Sequence, residues 1–363
     1  MIESGRPRPR RRYGRGWLVR LSPVILTVVI ASLAYATPPE MAFSRLLPAA
    51  PALAAAMWPV LPTILLGTVC LLLMIGLGMV FPDLGTWWTA AGIIAVTVAA
   101  AYGSHLRLQR ERTLIQVRLV ADAAQQVVLS PMPRRFGDVE IESLYLAAAA
   151  EARIGGDFYE VVDTPYGVRL LIGDVRGKGL PAVGTAAAIV NAFREAAYGE
   201  TDLVEVARRL DASSTRYNAA FPPEGPMERF ATALLVEIPH EGRRIHILNC
   251  GHPPPLLLNR GKLCVLEPDT PSPLLSLAEL IGDDYTVDSF GFVPGDLLLL
   301  YTDGIAEARA RDGEFFPLTA WMNRQPPTPP RELLTALHRD LLRYSRGRLD
   351  DDIAALAVRL HES

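Results

Sequence analysis

The stretch Leu170-Leu171-Ile172-Gly173-Asp174-Val175-Arg176-Gly177-Lys178-Gly179 decides the fold of this chain. A short apolar run bounded by glycine reads as a buried strand. The aspartate at its end is therefore carried to the rim of a sheet on a rigid element. Leu297-Leu298-Leu299-Leu300-Tyr301-Thr302-Asp303-Gly304 repeats the pattern. Two further acidic sites accompany them, Gly155-Gly156-Asp157 upstream and Asp350-Asp351-Asp352-Ile353 downstream. Carboxylates brought together repel one another unless cations lie between them. A hard divalent metal site is the simplest physical reason for such a cluster.

Around these runs the second half of the chain alternates strand-length apolar stretches with turn signals. Strands are expected at 139–147, 158–163, 168–174, 230–238, 245–249, 256–258, 286–290, 297–301 and 353–360. Helical patterns occupy 181–198, 203–218 and 331–344. Tyr166-Gly167, Glu241-Gly242 and Arg260-Gly261 are hairpin turns. Many hairpin-linked strands with long helices inserted imply an α+β fold of mostly antiparallel sheets rather than a doubly wound one. The proline-rich run 325–330 reads as a stiff surface connection to the last helix.

Each acidic block has a plainer reading when taken alone. Asp157 and Asp303 sit in turn-like dipeptides, and part of the 350–352 run is solvated surface charge. Asp174 is too far from Pro181 to cap the helix that follows. The conjunction of the four blocks carries the metal-site reading. Gly177-Lys178-Gly179-Leu180-Pro181-Ala182 is not a dinucleotide fingerprint, because Pro181 intrudes and no acidic residue ends a second strand about 20 residues on. It is not a phosphate-binding Walker loop either, since no Ser or Thr follows Lys178. His252, in Asn249-Cys250-Gly251-His252-Pro253-Pro254, is a candidate for metal binding or proton transfer, or a structural turn residue. Cys250 reads as core packing.

The first half has another texture. Residues 1–20 carry seven arginines against one glutamate, and 46–82 carry no charge. Residues 21–37, 63–81 and 87–103 are membrane-span candidates. Arginines at the start and at 107, 110 and 112 both belong on the cytoplasmic face, which requires an even number of crossings. The stretch 41–58, interrupted by Arg45, Pro48 and Pro51, is therefore expected as a weak fourth span. The expected organisation is a basic cytoplasmic segment 1–20, a transmembrane region 21–105, a helical linker 106–129 and a catalytic domain 130–363. In the linker, Leu114, Val117, Ala121, Ala124 and Val128 make a narrow apolar seam. That seam suits either a homodimer contact or a helix packed on the domain.

A net charge of −3 over 363 residues gives no indication of nucleic-acid binding. Cys70, Cys250 and Cys264 form neither a disulfide framework nor a zinc pattern.

Six blocks occur in order: Gly155-Gly156-Asp157-Phe158-Tyr159; Ile172 to Gly179; Phe230-Ala231-Thr232-Ala233; Asn249 to Leu256; Tyr301 to Ala308; and Asp351-Asp352-Ile353-Ala354. Together they closely resemble the SpoIIE-type branch of the 2C-type metal-dependent protein Ser/Thr phosphatases, over roughly residues 125–360. The resemblance implies an αββα sandwich with two Mn²⁺ or Mg²⁺ ions at one end of the paired sheets. Carried over by motif, Asp157, Asp174 and Asp303 are the candidate catalytic residues. The metal ligands would be Asp157, Asp174, Asp303, Asp351 (in preference to Asp352) and the backbone carbonyl of Val175.

The activity so implied is hydrolysis of phosphoserine or phosphothreonine in a regulatory protein by a water activated between two metals. The substrate class is anti-anti-sigma-type factors, and the enzyme is multi-pass in the cell membrane, in contact with lipid, with its catalytic domain cytoplasmic. A competing reading is a membrane signalling scaffold that uses the fold without turnover. A transporter is disfavoured, because no charge sits in the middle of a clear span.

Overall fold

Period-two burial explains the apolar runs. In a strand covered on both faces every side chain is buried, so the sequence reads as unbroken leucine rather than as alternation. The computed structural model describes residues 16–38, 41–80, 85–128, 132–147, 155–222, 229–240, 243–282 and 284–361. The chain divides into two units, 1–116 and 117–363.

The first unit contains α1 (Gly16–Ala36), a 3-10 turn (Phe43–Leu46), α2 (Ala49–Ala55) and α3 (Val60–Val80). It also contains most of α4, which runs Thr86–Val128. Three stretches, Val19–Ala36, Val60–Val80 and Thr86–Thr113, are long and apolar enough to cross a membrane. The expected fourth span is not one helix. The break falls at Pro48, which stands before α2, while Pro51 is accommodated in the first turn of α2, and the seven residues of α2 rise only about 10 Å.

Its path is nonetheless a return across the unit. At one end Ala42 and Ser44 share a small cavity with Ala34, Leu77, Gly78 and Thr86. At the other end Trp58 Nε1 donates to Arg20 O (2.8 Å) and Ser104 Oγ to Ala55 O (3.3 Å). Arg107 donates to Ala56 O and, at 3.0 Å, to Trp58 O. Arg20 and Arg107 therefore meet the same end of this stretch. The arginine-rich start before residue 16 and the turn 81–84 lie outside the described residues, as do the side chains of the seam at Leu114, Val117, Ala121, Ala124 and Val128.

Among the described residues the second unit holds eleven strands. They are β1 (Arg135–Phe136), β2 (Val139–Leu146), β3 (Phe158–Thr164), β4 (Gly167–Val175), β5 (Ala231–Ile238), β6 (Arg244–Cys250), β7 (Leu256–Asn259), β8 (Lys262–Val265), β9 (Asp288–Gly291), β10 (Leu297–Tyr301) and β11 (Ile353–Leu360). The helices are α5 (Leu180–Gly199), α6 (Leu203–Ala220), α7 (Ala278–Ile281), α8 (Asp303–Ala306), α9 (Leu318–Met322) and α10 (Pro330–Tyr344). A six-stranded sheet has the order β1-β2-β11-β10-β7-β8, and a five-stranded sheet the order β3-β4-β5-β6-β9. All named strand pairs are antiparallel.

The sheets face each other. Leu170 and Ile172 of β4 meet Leu298 and Leu300 of β10 in the central core. The alternate residues face outward. Leu171 packs against Ile189 and Phe193 of α5, and Leu297 and Leu299 against Leu333, Leu337 and Leu341 of α10. The result is the expected αββα sandwich. Each leucine buried in it contributes about 1.5–3 kcal/mol, so the two runs that carry Asp174 and Asp303 are among the least movable parts of the domain. Asp202 caps α6 by accepting from Val204 N and Glu205 N. Arg260 and Gly261, both at positive φ (48° and 79°), form the tight β7–β8 turn. The strands β1 and β8 and the short helices α7–α9 add to the sequence reading, and the expected turn at Glu241-Gly242 lies outside the described residues.

Candidate metal centre

Antiparallel pairing brings three of the acidic segments to one end of the sandwich. Asp174 is the penultimate residue of β4, Asp303 follows β10 directly, and Asp351 and Asp352 precede β11, which pairs with β10 through Tyr301 opposite Ala355. Asp157 enters from the bend before β3, where Phe158 pairs with Gly173. That bend is fastened to β4, since Val175 N donates to Gly156 O (3.2 Å). Gly156 is required there: a Cβ on it would lie 2.5 Å from Val175 O. The Val175 carbonyl thus faces the Asp157 segment.

The carboxylates feel one another strongly. Asp157 is buried, and its pKa is pushed well above the usual range by burial and then by Asp174. Asp174 is raised to about 7, by burial first and by the charge of Asp303 next. Asp157 and Asp174 are close enough to share a hydrogen bond. Asp303 is raised by burial, then by Glu307 and Asp351.

The run 350–352 is sorted by environment. Asp350 is exposed. Asp351 is exposed and pairs with Lys178 Nζ at 3.5 Å. Asp352 is buried and accepts from Gly155 N (3.1 Å) and from the Tyr145 hydroxyl. Asp352 therefore fastens the glycine bend, while Asp351 is the more open of the two.

Residues absent from the sequence reading complete the site. Thr302 Oγ1 donates to Asp157 Oδ2 (2.7 Å) and accepts from Ala354 N (2.9 Å). Period two gives a signal for it: Leu298, Leu300 and Thr302 share the inner face, where a hydroxyl must find a partner. Tyr145 gave no comparable signal, whereas Lys178, one of two lysines in the chain, stands out in its glycine-rich loop although the sequence assigns it no role. His252 lies behind this end, with Nδ1 3.0 Å from Thr232 Oγ1, and Thr232 stands opposite Asp174 in the β4–β5 pair. Burial lowers its pKa to about 3, so it is neutral near pH 7 and is not a proton donor there. Cys250 is fully buried and its thiol pKa is pushed up by burial, as a packing residue requires.

The donor set fits a hard divalent cation. All its donors are oxygens, which suits Mg²⁺ or Mn²⁺. Among the described residues no three His, Cys, Asp or Glu side chains close on a single point. Mg²⁺ keeps several waters and takes only one or two carboxylates, so an open acidic rim is a suitable seat. Burial and neighbouring acids raise Asp157, Asp174 and Asp303, so each favours its protonated form until a cation offsets the repulsion.

The fold and this acid-lined end define a PP2C-type domain. The SiaA-PP2C domain of Pseudomonas aeruginosa superposes with a TM-score of 0.54 at 18% identity, over 70% of this chain and 98% of that one. The family model described as Stage II sporulation protein E (SpoIIE) matches residues 164–361, more than half of the chain, and the chain belongs to that family. Protein IcfG of Synechocystis sp. is 25% identical over 267 residues, covering 66% of this chain and 41% of that protein. Phosphoserine phosphatase RsbP of Bacillus subtilis is 26% identical, covering 47% of this chain and 41% of that protein. The chain thus spans about two fifths of the length of these two curated relatives.

Proposed function

We propose that this chain is a membrane-anchored phosphoprotein phosphatase. Its domain from about residue 130 hydrolyses phosphoserine or phosphothreonine in a regulatory protein. The observation that carries the reading is the meeting of Asp157, Asp174 and Asp303, each raised by burial and neighbouring acids, with Asp351 beside them, within six ordered family motifs at one end of the two sheets. Bound Mn²⁺ or Mg²⁺, in a pair, would supply an acidified water and relief of phosphate charge.

The chain's own residues do the placing. Asp174 and Asp303 ride on strands locked by leucine packing, Asp157 is held by Thr302, and the Val175 carbonyl adds a neutral oxygen beside Gly156. Asp351 is the proposed fourth acid because Asp352 is already engaged with Gly155 and Tyr145. His252 contributes no proton at neutral pH, so the proton for the leaving serine oxygen comes from solvent in this scheme.

The regulatory substrate follows by kinship. RsbP is named a phosphoserine phosphatase, and an anti-anti-sigma-type factor is the substrate class proposed here. Membrane placement rests on three helices of spanning length and on the return of the 41–58 stretch to the Arg20–Arg107 end. Arginine retention on the inner face then puts the catalytic domain in the cytoplasm. The test is hydrolysis of p-nitrophenyl phosphate by the purified full chain with Mn²⁺, beside Asp174→Asn. Mn²⁺ binding without turnover in the wild type would instead support the scaffold reading.

A further inference from the structure

The site acids lie on segments of two different sheets, and beside the Asp352–Gly155 and Lys178–Asp351 contacts the Thr302 side chain links them at Asp157 itself. Thr302 is fully buried. Its N–H donates to Ala354 O (3.0 Å), and its hydroxyl accepts from Ala354 N (2.9 Å), so it grips the start of β11 next to Asp351 and Asp352. A hydroxyl has one proton to give. Asp157 Oδ2 stands 2.7 Å away, while the alternative acceptor, Ala354 O, is 3.4 Å away. The proton therefore goes to the carboxylate. Asp157 precedes β3 of the five-stranded sheet, whereas Thr302 follows β10 and Ala354 lies in β11 of the six-stranded one.

We propose that Thr302 is the positioning residue of the metal centre. Its hydroxyl commits one oxygen of Asp157 to the protein, fixes the rotation of that carboxylate, and leaves the other oxygen for the cation. The same contact sets the distance between the Asp157 segment on one sheet and the Asp303 and Asp351 segments on the other. This inference rests on the metal-centre reading above. Partners of this kind, one step removed from the metal, typically change metal affinity about 10–100-fold when lost.

The experiment is calorimetric titration of Mn²⁺ into the full chain in detergent, without substrate, for the wild type and for Thr302→Val, Thr302→Ala and Thr302→Ser. Valine keeps the shape but strands Ala354 N in the core, an unsatisfied buried donor that threatens folding. Alanine leaves room for a water at that N–H, so the alanine–serine pair decides the matter if the valine protein does not fold. The expected result is Mn²⁺ binding weakened about 10-fold or more in the valine and alanine proteins, with serine retaining wild-type affinity. Activity of the alanine protein should return as Mn²⁺ is raised, which a general loss of packing would not produce. Wild-type affinity in the alanine protein overturns the proposal. So does serine binding as weakly as alanine, because the methyl group would then be the cause. A wild type that takes up no Mn²⁺ removes the metal-centre reading itself, and this proposal with it.

Discussion

Strand β4 carries a charge near each end, and the protein treats the two ends in opposite ways. Near its start Arg169 is fully buried and completely partnered. Its guanidinium donates to Glu237 from Nε (2.8 Å), lies 2.6 Å from the same carboxylate through a terminal nitrogen, and reaches the carbonyls of Ala197, Glu200 and Thr201. Five residues on, Asp174 meets other acids, and its pKa climbs to about 7. A charge that serves the fold is neutralised within the fold. A charge that serves a ligand is left for the ligand to neutralise. The two ends of one strand thus separate structural from functional polarity without reference to any relative.

The sharpest way to break this contrast is substitution at both ends. Asp174→Asn should reduce Mn²⁺-dependent hydrolysis of p-nitrophenyl phosphate by about 1,000-fold or more, on the scale of losing a pre-placed electrostatic group. The protein should stay folded, since amide replaces carboxylate at equal size and removes repulsion. Full activity in this variant would remove Asp174 from the site.

Arg169→Met should do the reverse. It leaves Glu237 without its partner, at a cost of about 3–5 kcal/mol, read as a lowered denaturation midpoint. Molecules that remain folded should keep their turnover, because no group at the acidic end has changed. An unchanged midpoint would show that the buried Arg169 network is dispensable.

Acidity offers a third route. A carboxyl raised from 3.8 to about 7 on folding binds its proton more tightly in the folded state. Below about 4 both states are protonated and there is no penalty. As pH rises from about 4 to 7 the unfolded state ionises first, and the folded state loses stability, approaching about 4 kcal/mol at about 1.36 kcal/mol per pH unit. His252, lowered to about 3, has the opposite slope, losing stability as pH falls below about 6.5, but it does so in wild type and variant alike. The difference in stability between metal-free wild type and Asp174→Asn therefore reports the acid together with the repulsion it exerts on Asp157. It should grow in favour of the variant from pH 4 to 7, and Mn²⁺ should reverse it by stabilising the wild type alone. Parallel pH profiles would mean that Asp174 is not strained by its neighbours.

The sequence exposed most of this arrangement because strand-borne acids leave a signal: an apolar run, then a carboxylate, at Leu170–Asp174 and again at Leu297–Asp303. The sandwich was legible for the same reason, since burial on both faces writes continuous leucine. Arg169 gave no such signal, as its partners come from α5, the residues after it and β5, far apart in the chain. Tyr145 and Asp352 were hidden likewise, their meeting depending on the pairing of β11 with β2. The return of the 41–58 stretch toward Arg20 and Arg107 agrees with the parity of its basic flanks, but among the described residues no helix of spanning length forms there. Its broken helix followed from Pro48, which composition counts as merely apolar.

Lys178 gives the smallest and most delicate test. It is one of only two lysines in the chain, and it reaches the acidic end through Asp351 at 3.5 Å, both side chains being about half exposed (40% and 50%). An exposed pair of this kind is worth about 0.2–1 kcal/mol, so Lys178→Ala should barely move the melting temperature. Its charge nonetheless competes with any cation for Asp351. Removing it should tighten Mn²⁺ binding slightly, by about 5-fold at most on the same energy scale, and the gain should vanish at high ionic strength. Weaker Mn²⁺ binding in Lys178→Ala would mean that the lysine supports the centre rather than competing with it. The acidic end of β4 would then be partly partnered by the protein, which is the opposite of what distinguishes it from the Arg169 end.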